Sequence, residues 1–248
     1  MKKKSLILGV ETSGRIGSVA IALGEKMLAE TIFSGTMRHS SEIFPAIRSL
    51  LEKFARKPKD IEHVYVSAGP GSFTGLRIAV ALAKTMHLAN DAKVIAVNTL
   101  DVIAANTSDH MKEEDIRIDK IATVLDAKRG QFFIAAYKLR SCESSDTQYE
   151  KILPDCLMTA SQFLEEFAAS SEPIWLLGEG LLYYKDAFRA ESVHFLPEKY
   201  WRPKAEKVHL LGWKKALAGQ FANPLTLQPT YLRRPEAEEK WQKQNANS

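Results

Sequence analysis

The chain has 248 residues, of which 45% are hydrophobic and 26% charged, and its 34 lysines and arginines exceed its 30 aspartates and glutamates by four charges. This composition is that of a globular protein and excludes the disordered and fibrous classes, while the length predicts two lobes that share a core. The mild net charge does not indicate a nucleic-acid-binding protein unless the charge is concentrated in a patch.

Three strands are predicted before any helix. Residues 6–10, 18–23 and 26–33 are apolar runs, separated by the polar turn Glu11-Thr12-Ser13-Gly14-Arg15 and by a tight turn at Gly24. The first run stops at Glu11, which makes it too short for a signal peptide, and no uncharged apolar stretch elsewhere reaches the length of a membrane span. The strand order disfavours a plain Rossmann fold, and we expect a protein that is not integral to a membrane.

Two helices flank a glycine-rich loop in the rest of the first half. Apolar residues recur at a spacing of three and four over residues 40–54, and Ser40-Ser41-Glu42 is a plausible helix cap. A strand at 63–67 leads into Gly69-Pro70-Gly71-Ser72-Phe73-Thr74-Gly75, the sharpest turn signal in the sequence. A helix over residues 76–88, a strand over 93–97 and a short helix over 99–106 are predicted to follow.

The second half begins like the first. A strand over 121–125, the acidic turn at Asp126 and a strand over 132–137 repeat the pattern of residues 6–23, which suggests a duplication. Helices over 161–169 and 204–217 and a strand over 174–177 complete this half. The predicted organisation is an N-terminal lobe (1–106), a polar linker (107–118), a C-terminal lobe (119–223) and a tail (224–248) that packs back along the surface and frays at its end.

Two loops are candidates for binding a nucleotide or a phosphate. In the first, backbone N–H groups and hydroxyls can face an anion, and the alternative is an ordinary polar turn. In the second, glycines permit close backbone approach and the following helix dipole favours an anion, and the alternative is a tight turn that lets the helix pack closely. The candidate residues are Glu11, Thr12, Ser13, Gly14, Gly69, Gly71, Ser72, Thr74 and Gly75.

No known catalytic or metal-binding motif is present. The second loop lacks the Gly-Lys-Ser/Thr of a Walker A loop, and Phe73 stands where a nucleophile elbow has its serine. No two of the six histidines are closer than 15 residues, and Cys142 and Cys156 have no C-x-x-C spacing. Glu11 and Asp126 could hold Mg²⁺ beside a nucleotide, although we favour a turn-pinning role for Asp126. We therefore assign no catalytic residue and no metal ligand, and we expect a cytoplasmic protein.

The loop Gly69–Ile78 resembles the signature of the TsaB (YeaZ) family, relatives of TsaD in the actin, sugar-kinase and Hsp70 fold group. Further matching blocks span nearly the whole chain, whereas residues 107–118 and 138–200 are only loosely family-like. These blocks are Leu8–Ser13, Arg38–Pro45, Asp126–Gln131, Pro229–Arg233 and Glu236–Trp241. The resemblance implies an α/β, actin-like (ASKHA) duplicated two-lobed fold with a more complete N-terminal lobe and an abbreviated C-terminal lobe.

The resemblance also implies a function. TsaB proteins pair with TsaD and, in bacteria, with the ATPase TsaE, and the assembly transfers threonylcarbamoyl to the adenosine beside the anticodon of tRNAs that read codons beginning with A. TsaD holds its metal with histidines just after the strand that is 93–97 here, where this chain has Asn98-Thr-Leu-Asp-Val-Ile-Ala104. The chain therefore resembles the non-catalytic partner. Because Glu11 replaces the usual aspartate and would crowd a phosphate, we expect that the chain alone binds no nucleotide. Binding of ADP or ATP at the interface with TsaD stays open.

The two helices of the first lobe resemble the surfaces by which TsaB proteins pair with TsaD or, in isolation, with a second copy. The candidate residues are Arg38, His39, Ile43, Ile47, Arg77, Ile78, Ala81, Leu82 and Thr85. Small side chains on the second helix permit close helix approach, so a bulky charged residue at Ala81 or Ala83 is expected to abolish partner binding and leave the fold intact. The alternative is a helix buried wholly in the core.

Two other functions remain open. The first is an independent enzyme, either an ATP-dependent phosphotransferase or the M22-type peptidase that an older glycoprotease label of the family implies. The second is a direct tRNA-binding module, for which cations from both ends of the chain could contact phosphates. These cations are Lys2 to Lys4, Lys128, Arg129, Arg233 and Arg234.

Overall fold

The structure is a computed structural model that describes residues 5–36, 38–140, 149–169 and 172–233. Two mixed sheets of five strands form within these ranges. The first contains β1 (Leu6–Glu11), β2 (Ser18–Leu23), β3 (Lys26–Ile32), β4 (Ile61–Ser67) and β5 (Lys93–Val97), in the order β3-β2-β1-β4-β5. The second contains β6 (Lys120–Asp126), β7 (Phe132–Leu139), β8 (Tyr149–Met158), β9 (Ile174–Leu177) and β10 (Val193–Phe195), in the order β10-β9-β6-β7-β8.

The two sheets have the same topology. In each, the first strand pairs antiparallel with the second and parallel with the fourth, as β1 does with β2 and β4 and as β6 does with β7 and β9. Read from its other edge, the second sheet repeats the strand order of the first. This repetition confirms the predicted duplicated fold, whose second half has the shorter parallel strands.

The helices connect and cover these sheets. They are α1 (His39–Lys53), α2 (Phe73–Asn90), α3 (Thr99–Ala104), α4 (Thr107–Glu114), α5 (Ala160–Phe167), α6 (Leu181–Tyr184) and α7 (Ala205–Leu217), with 3₁₀ turns at Pro58–Asp60, Lys185–Phe188 and Glu198–Tyr200. No helix in the described ranges is long and apolar enough to cross a lipid bilayer.

Each half of the chain covers a sheet of the other half with a helix. Alternate residues of β1 point to opposite faces: Leu8 packs beneath α1 and α2, whereas Ile7 packs beneath α7, which follows the second sheet in the chain. The fit under α7 is close, because a Cβ on Gly212 would lie 2.4 Å from the ring of Tyr65. In return, α3 leaves the end of β5 and packs against β6, where Leu100 is part of the second core.

Most predicted elements are present, with bounds that differ by a few residues. The helix predicted from residue 76 begins at Phe73, where the Ser72 side chain accepts a hydrogen bond from the Gly75 N–H. The cap predicted at Ser40-Ser41-Glu42 is wrong: the N-cap residue of α1 is Arg38, and the Glu42 carboxylate instead accepts hydrogen bonds from the N–H and hydroxyl of Ser34.

Some regular structure was not predicted. Strands β8 and β10 lie where no strand was expected, and the segment 107–118, expected to be an unpatterned linker, contains α4, with His110 buried. The exact boundary between the lobes stays a prediction. Of the tail, residues 224–233 run back over the protein, where the Thr230 N–H donates to the Ala68 carbonyl at 2.6 Å. Residues 234–248, including the predicted frayed end, lie outside the described residues.

Candidate functional site

The two predicted phosphate loops lie against each other at one edge of the first sheet. They follow β1 and β4, which are parallel neighbours, so their carboxyl ends meet at the same edge. The Thr12 hydroxyl donates to the Gly75 carbonyl at 2.7 Å, and the Ser72 N–H donates to the Ser13 carbonyl at 2.8 Å. The structure therefore brings the two loops together, and their backbones are bonded to each other.

The glycines of the second loop are needed for this contact. A Cβ at Gly75 would lie 1.7 Å from the Thr12 carbonyl oxygen, and one at Gly71 would lie 2.6 Å from the Ser13 carbonyl oxygen. Gly69 has a φ of +121°, and its missing side chain makes room for the Thr230 carbonyl of the tail. Three backbone segments thus converge here because no side chain separates them.

Glu11 fills the concave side of the first loop. Its side chain is fully buried, and its carboxylate accepts hydrogen bonds from both the N–H and the hydroxyl of Ser13, and from the hydroxyl of Ser67. Burial raises the pKa of the Glu11 carboxyl, and the bonds from Ser13 and Ser67 oppose that rise. The Ser13 donors that were predicted to face a phosphate are therefore engaged by a carboxylate of the same chain.

The remaining loop candidates have separate positions. The Ser72 hydroxyl caps α2 by accepting the Gly75 N–H, while Thr74 is exposed on the first turn of that helix. Gly14 lies at the junction with the second half, because a Cβ there would be 2.9 Å from a carboxylate oxygen of Glu179 and 3.0 Å from the ring of Pro203.

Glu179 of the second half faces these loops and was not among the candidates. Its carboxylate accepts the Arg15 N–H at 2.8 Å, and the Arg15 guanidinium lies 5.0 Å from the centre of the Tyr183 ring. Burial raises the pKa of Glu179 to about 7, with a further rise from the charge of Glu11 and an opposing effect from the Arg15 N–H. Glu179 could have been identified from the sequence, because Gly178-Glu179-Gly180 follows β9 in the same way that Gly69-Pro70-Gly71 follows β4.

Asp126 occupies the place in the second half that Glu11 has in the first. Its carboxylate accepts the Lys128 N–H at 2.7 Å and pairs with the Lys128 ammonium at 2.7 Å, as a residue that pins a turn would do. Within the described residues, no group of three or more His, Cys, Asp or Glu side chains is placed to hold a metal ion.

The segment after β5 forms a charged network between the two halves. The Asn98 side chain caps α3 by accepting the Leu100 N–H at 2.8 Å, and it donates to Asp155 of β8. The Lys151 ammonium lies 2.7 Å from Asp101 and 2.5 Å from Asp155. These contacts attach the edge strand β8 to α3.

Several predicted interface residues are buried in the first lobe, so their prediction as interface residues is wrong. His39 is buried, with its Nε2 3.0 Å from the Gly14 carbonyl oxygen, and Ile43, Ile47 and Leu82 are buried in the core beneath α1 and α2. The reason is that α1 turns Ile43 and Ile47 toward the sheet and α2 turns Leu82 toward it, so these side chains are part of the core. Ala83 is also fully buried, so the expectation that it tolerates a bulky charge is wrong.

Exposed residues of α1 and α2 and of the segments that lead into them make up a surface that we call the helix face. Phe44 and Leu88, which were not among the candidates, are 63% and 76% exposed. Ile78 is only partly exposed and packs against the core. The helix face consists of Arg38, Phe44, Phe73, Arg77, Ala81, Thr85 and Leu88.

Comparison with known proteins finds a matching family and several similar proteins. Residues 26–241 match the model of the family described as "TsaD: tRNA N6-adenosine threonylcarbamoyltransferase". The tRNA threonylcarbamoyladenosine biosynthesis protein TsaB of Bacillus subtilis (strain 168) is 30% identical over 239 residues, which cover 95% of this chain and 97% of that protein. A tRNA N6-adenosine threonylcarbamoyltransferase of Tropheryma whipplei (strain Twist) is 34% identical over 111 residues, which cover 39% of this chain and 28% of that protein.

A solved structure has the same fold. YeaZ from Pseudomonas aeruginosa superposes with a TM-score of 0.74 at 21% identity, over 92% of this chain and 100% of that one. The likeness thus covers almost all of the Bacillus subtilis and Pseudomonas aeruginosa proteins, but less than a third of the transferase from Tropheryma whipplei.

Proposed function

This chain belongs to the TsaB (YeaZ) family, whose members are paralogues of TsaD, and from that membership we propose that it is a non-catalytic subunit that binds and activates TsaD. The complex, completed by TsaE, transfers threonylcarbamoyl to the adenosine beside the anticodon of tRNAs that read codons beginning with A. ADP or ATP binds at the interface with TsaD and not to this chain alone, and the isolated chain pairs with a second copy.

The position of Glu11 supports the non-catalytic role more than any other observation. A phosphate site at a strand end needs free N–H donors and a neutral or positive surrounding. Here the N–H and hydroxyl of Ser13 and the hydroxyl of Ser67 are bonded to the Glu11 side chain, so these donors are not free for a phosphate. The concave side of the first loop is therefore occupied by the Glu11 side chain. The first loop and the glycine loop are bonded to each other and together support the start of α2.

The helix face supports the role as a binding partner. Phe44 of α1 and Leu88 of α2 are large apolar side chains that are mostly exposed, and α2 also exposes the small side chains of Ala81 and Thr85. Large apolar side chains exposed in this way are typical of protein contacts, and small residues let a second helix approach closely. The face is carried by two helices anchored on the first sheet, so it is presented without rearrangement.

The test is threonylcarbamoyl transfer in a reconstituted mixture of TsaD, TsaE, threonylcarbamoyl-adenylate, ATP and tRNA, with and without this chain. We expect transfer only when both this chain and TsaD are present. The chain alone, incubated with threonylcarbamoyl-adenylate and tRNA, serves as the control. Transfer that proceeds without this chain, or that this chain performs alone, would overturn the proposal.

A further inference from the structure

The turn between β6 and β7 presents two cations on a strained backbone. Lys128, Arg129 and Gly130 are consecutive residues with φ values of +66°, +57° and +72°, and all three are exposed. The left-handed region is unfavourable for residues with a Cβ, so Lys128 and Arg129 both carry a conformational cost. Nothing lies within 4 Å of the Cβ position of Gly130, so this tip projects into open space.

The strain is maintained by side chains from outside the turn. The Arg233 guanidinium donates to the carbonyl oxygens of Ala127 and Lys128, the latter at 3.2 Å, and to the Gln131 side chain at 2.7 Å. From the other side, the Asp126 carboxylate accepts the Lys128 N–H. Strained conformations persist where the surrounding structure over-determines them, and they concentrate at binding sites.

The surface around the tip is also basic and carries an exposed aromatic ring. Gly180 packs against the backbone of Asp126, and Tyr183 follows three residues later in α6. The Tyr183 ring is 69% exposed and carries the Arg15 guanidinium at 5.0 Å. Asp126 is paired with Lys128, and the Glu179 carboxylate accepts the Arg15 N–H. We call this surface the basic edge, and it consists of Arg15, Lys128, Arg129, Tyr183 and Arg233.

We propose that the basic edge binds the phosphate backbone of the tRNA on which the complex acts, an inference that rests on the proposed function. Cations spaced along an edge neutralise successive phosphates, and an exposed tyrosine can stack on an unpaired base. The Lys128 side chain is 80% exposed, so its pair with Asp126 is weak and a phosphate can take its place. Contacts of this kind position an RNA without reading its sequence.

A charge-removal experiment on the complex tests this. The affinity of the complex of TsaD with this chain for full-length tRNA is measured at several salt concentrations, for the natural chain and for Lys128→Ala/Arg129→Ala. If both side chains contact phosphates, the slope of log affinity against log salt falls by about 1.4 to 1.8, and binding weakens roughly thirtyfold at about 0.1 M salt.

The chain offers a matched control at the opposite end of β6. Lys112→Ala/Arg117→Ala removes the same charge from exposed positions, and Arg117 pairs with Asp119 across two residues as Lys128 pairs with Asp126. We expect this control to leave the salt slope unchanged. An equal loss in both double variants would show a general charge effect and overturn the proposal.

A second variant separates binding from folding. Lys128→Gly/Arg129→Gly removes the charges and relieves the backbone strain, so the melting temperature should rise while tRNA binding weakens as in the alanine variant. An unchanged salt slope in both variants overturns the proposal. So does a loss of affinity for TsaD in place of tRNA, which would identify the basic edge as a protein contact.

Failure of this inference is distinguishable from failure of the proposed function. If transfer requires the chain but the double variants bind tRNA normally, only the RNA contact is wrong. If the basic edge contributes to tRNA binding but transfer proceeds without the chain, the subunit role is wrong and the RNA contact stands.

Discussion

Thr12 and Gly75 meet so closely that the Thr12 carbonyl oxygen lies 1.7 Å from where a Cβ of residue 75 would be, and the Thr12 hydroxyl donates to the Gly75 carbonyl at 2.7 Å. The missing side chain of Gly75 is thus what allows the loop after β1 to pack on the start of α2. The helix face is positioned through this contact, because Phe73 and Arg77 stand on the same helical turn as Gly75.

Replacement of Gly75 by alanine should destabilise the protein. The backbone has to shift to admit the methyl group, and overpacking of this kind costs about 1–3 kcal/mol or more in the free energy of unfolding. Urea denaturation followed by circular dichroism measures the change. Gly35→Ala is the control, since its nearest neighbour would be the flexible Arg38 side chain at 3.5 Å. Equal stability of the two variants would contradict the account of this contact.

Glu179 should make stability depend on pH. Burial raises its pKa in the folded protein to about 7 from 4.5, so the folded state binds more protons than the unfolded state between these values. Stability therefore falls as pH rises from about 4.5 to 7, by up to about 3 kcal/mol. Glu179→Gln, which keeps an acceptor for the Arg15 N–H, should be more stable than the natural chain at pH 8 and should lose that advantage at pH 4.

The informative quantity is the difference in unfolding free energy between Glu179→Gln and the natural chain, followed as a function of pH. Glu11, whose pKa burial also raises, contributes a slope of the same sign in both proteins. Glu191→Gln, at an exposed position, controls for the loss of a carboxylate. Parallel stability curves for Glu179→Gln and the natural chain would mean that Glu179 is more solvated than its position indicates.

Two neighbouring alanines of α2 should respond differently to arginine. Ala81 is exposed on the helix face, so Ala81→Arg should change the unfolding free energy by no more than about 0.5 kcal/mol and strongly weaken TsaD binding. Ala83 is fully buried, so Ala83→Arg should prevent folding by burying an unpaired charge. Thermal melts and titration calorimetry with TsaD check both outcomes.

A surface control completes this comparison. Ala190→Arg places the same side chain at an exposed position of the second half and should affect neither folding nor TsaD binding. If Ala81→Arg binds TsaD as tightly as the natural chain does, the helix face is not the interface.

The isolated chain should not respond to ATP. Because the Glu11 carboxylate engages the Ser13 and Ser67 donors, magnesium and ATP at about 1 mM should leave the melting temperature unchanged. A ligand at about 100 times its dissociation constant would stabilise by about 2.7 kcal/mol, which shifts the melting temperature by several degrees. A shift of that size would show that an open nucleotide site exists on the chain.

The elements predicted well were those with a strong local pattern. Ile174–Leu177 has the predicted bounds, and the repeated strand, acidic turn and strand at the start of each half correspond to equivalent parts of the two sheets. Strand β8 was missed because it lies at the edge of its sheet, where only one side is paired and Pro154 is tolerated, so its apolar alternation is weak.

The site was less predictable because it depends on contacts distant in sequence. Periodicity showed that α1 and α2 are apolar, but not which side chains face the sheet, so Ile43 and Leu82 were assigned to the wrong surface. The loops after β1 and β4 were both identified from their composition. That Glu11 turns back on Ser13, and that Glu179 reaches Arg15 across 164 positions, follows only from the packed structure.

The placement of α7 on the first sheet has a consequence for synthesis on the ribosome. The last strand of that sheet ends at Val97, yet the helix that covers Ile7 and Tyr65 ends only at Leu217. At typical translation rates these apolar side chains stay uncovered for about 6 to 24 seconds while the intervening residues are made. During that interval the nascent chain is a natural client for chaperones that shield exposed apolar surface, and a gene truncated before α7 would encode a product that never leaves that condition.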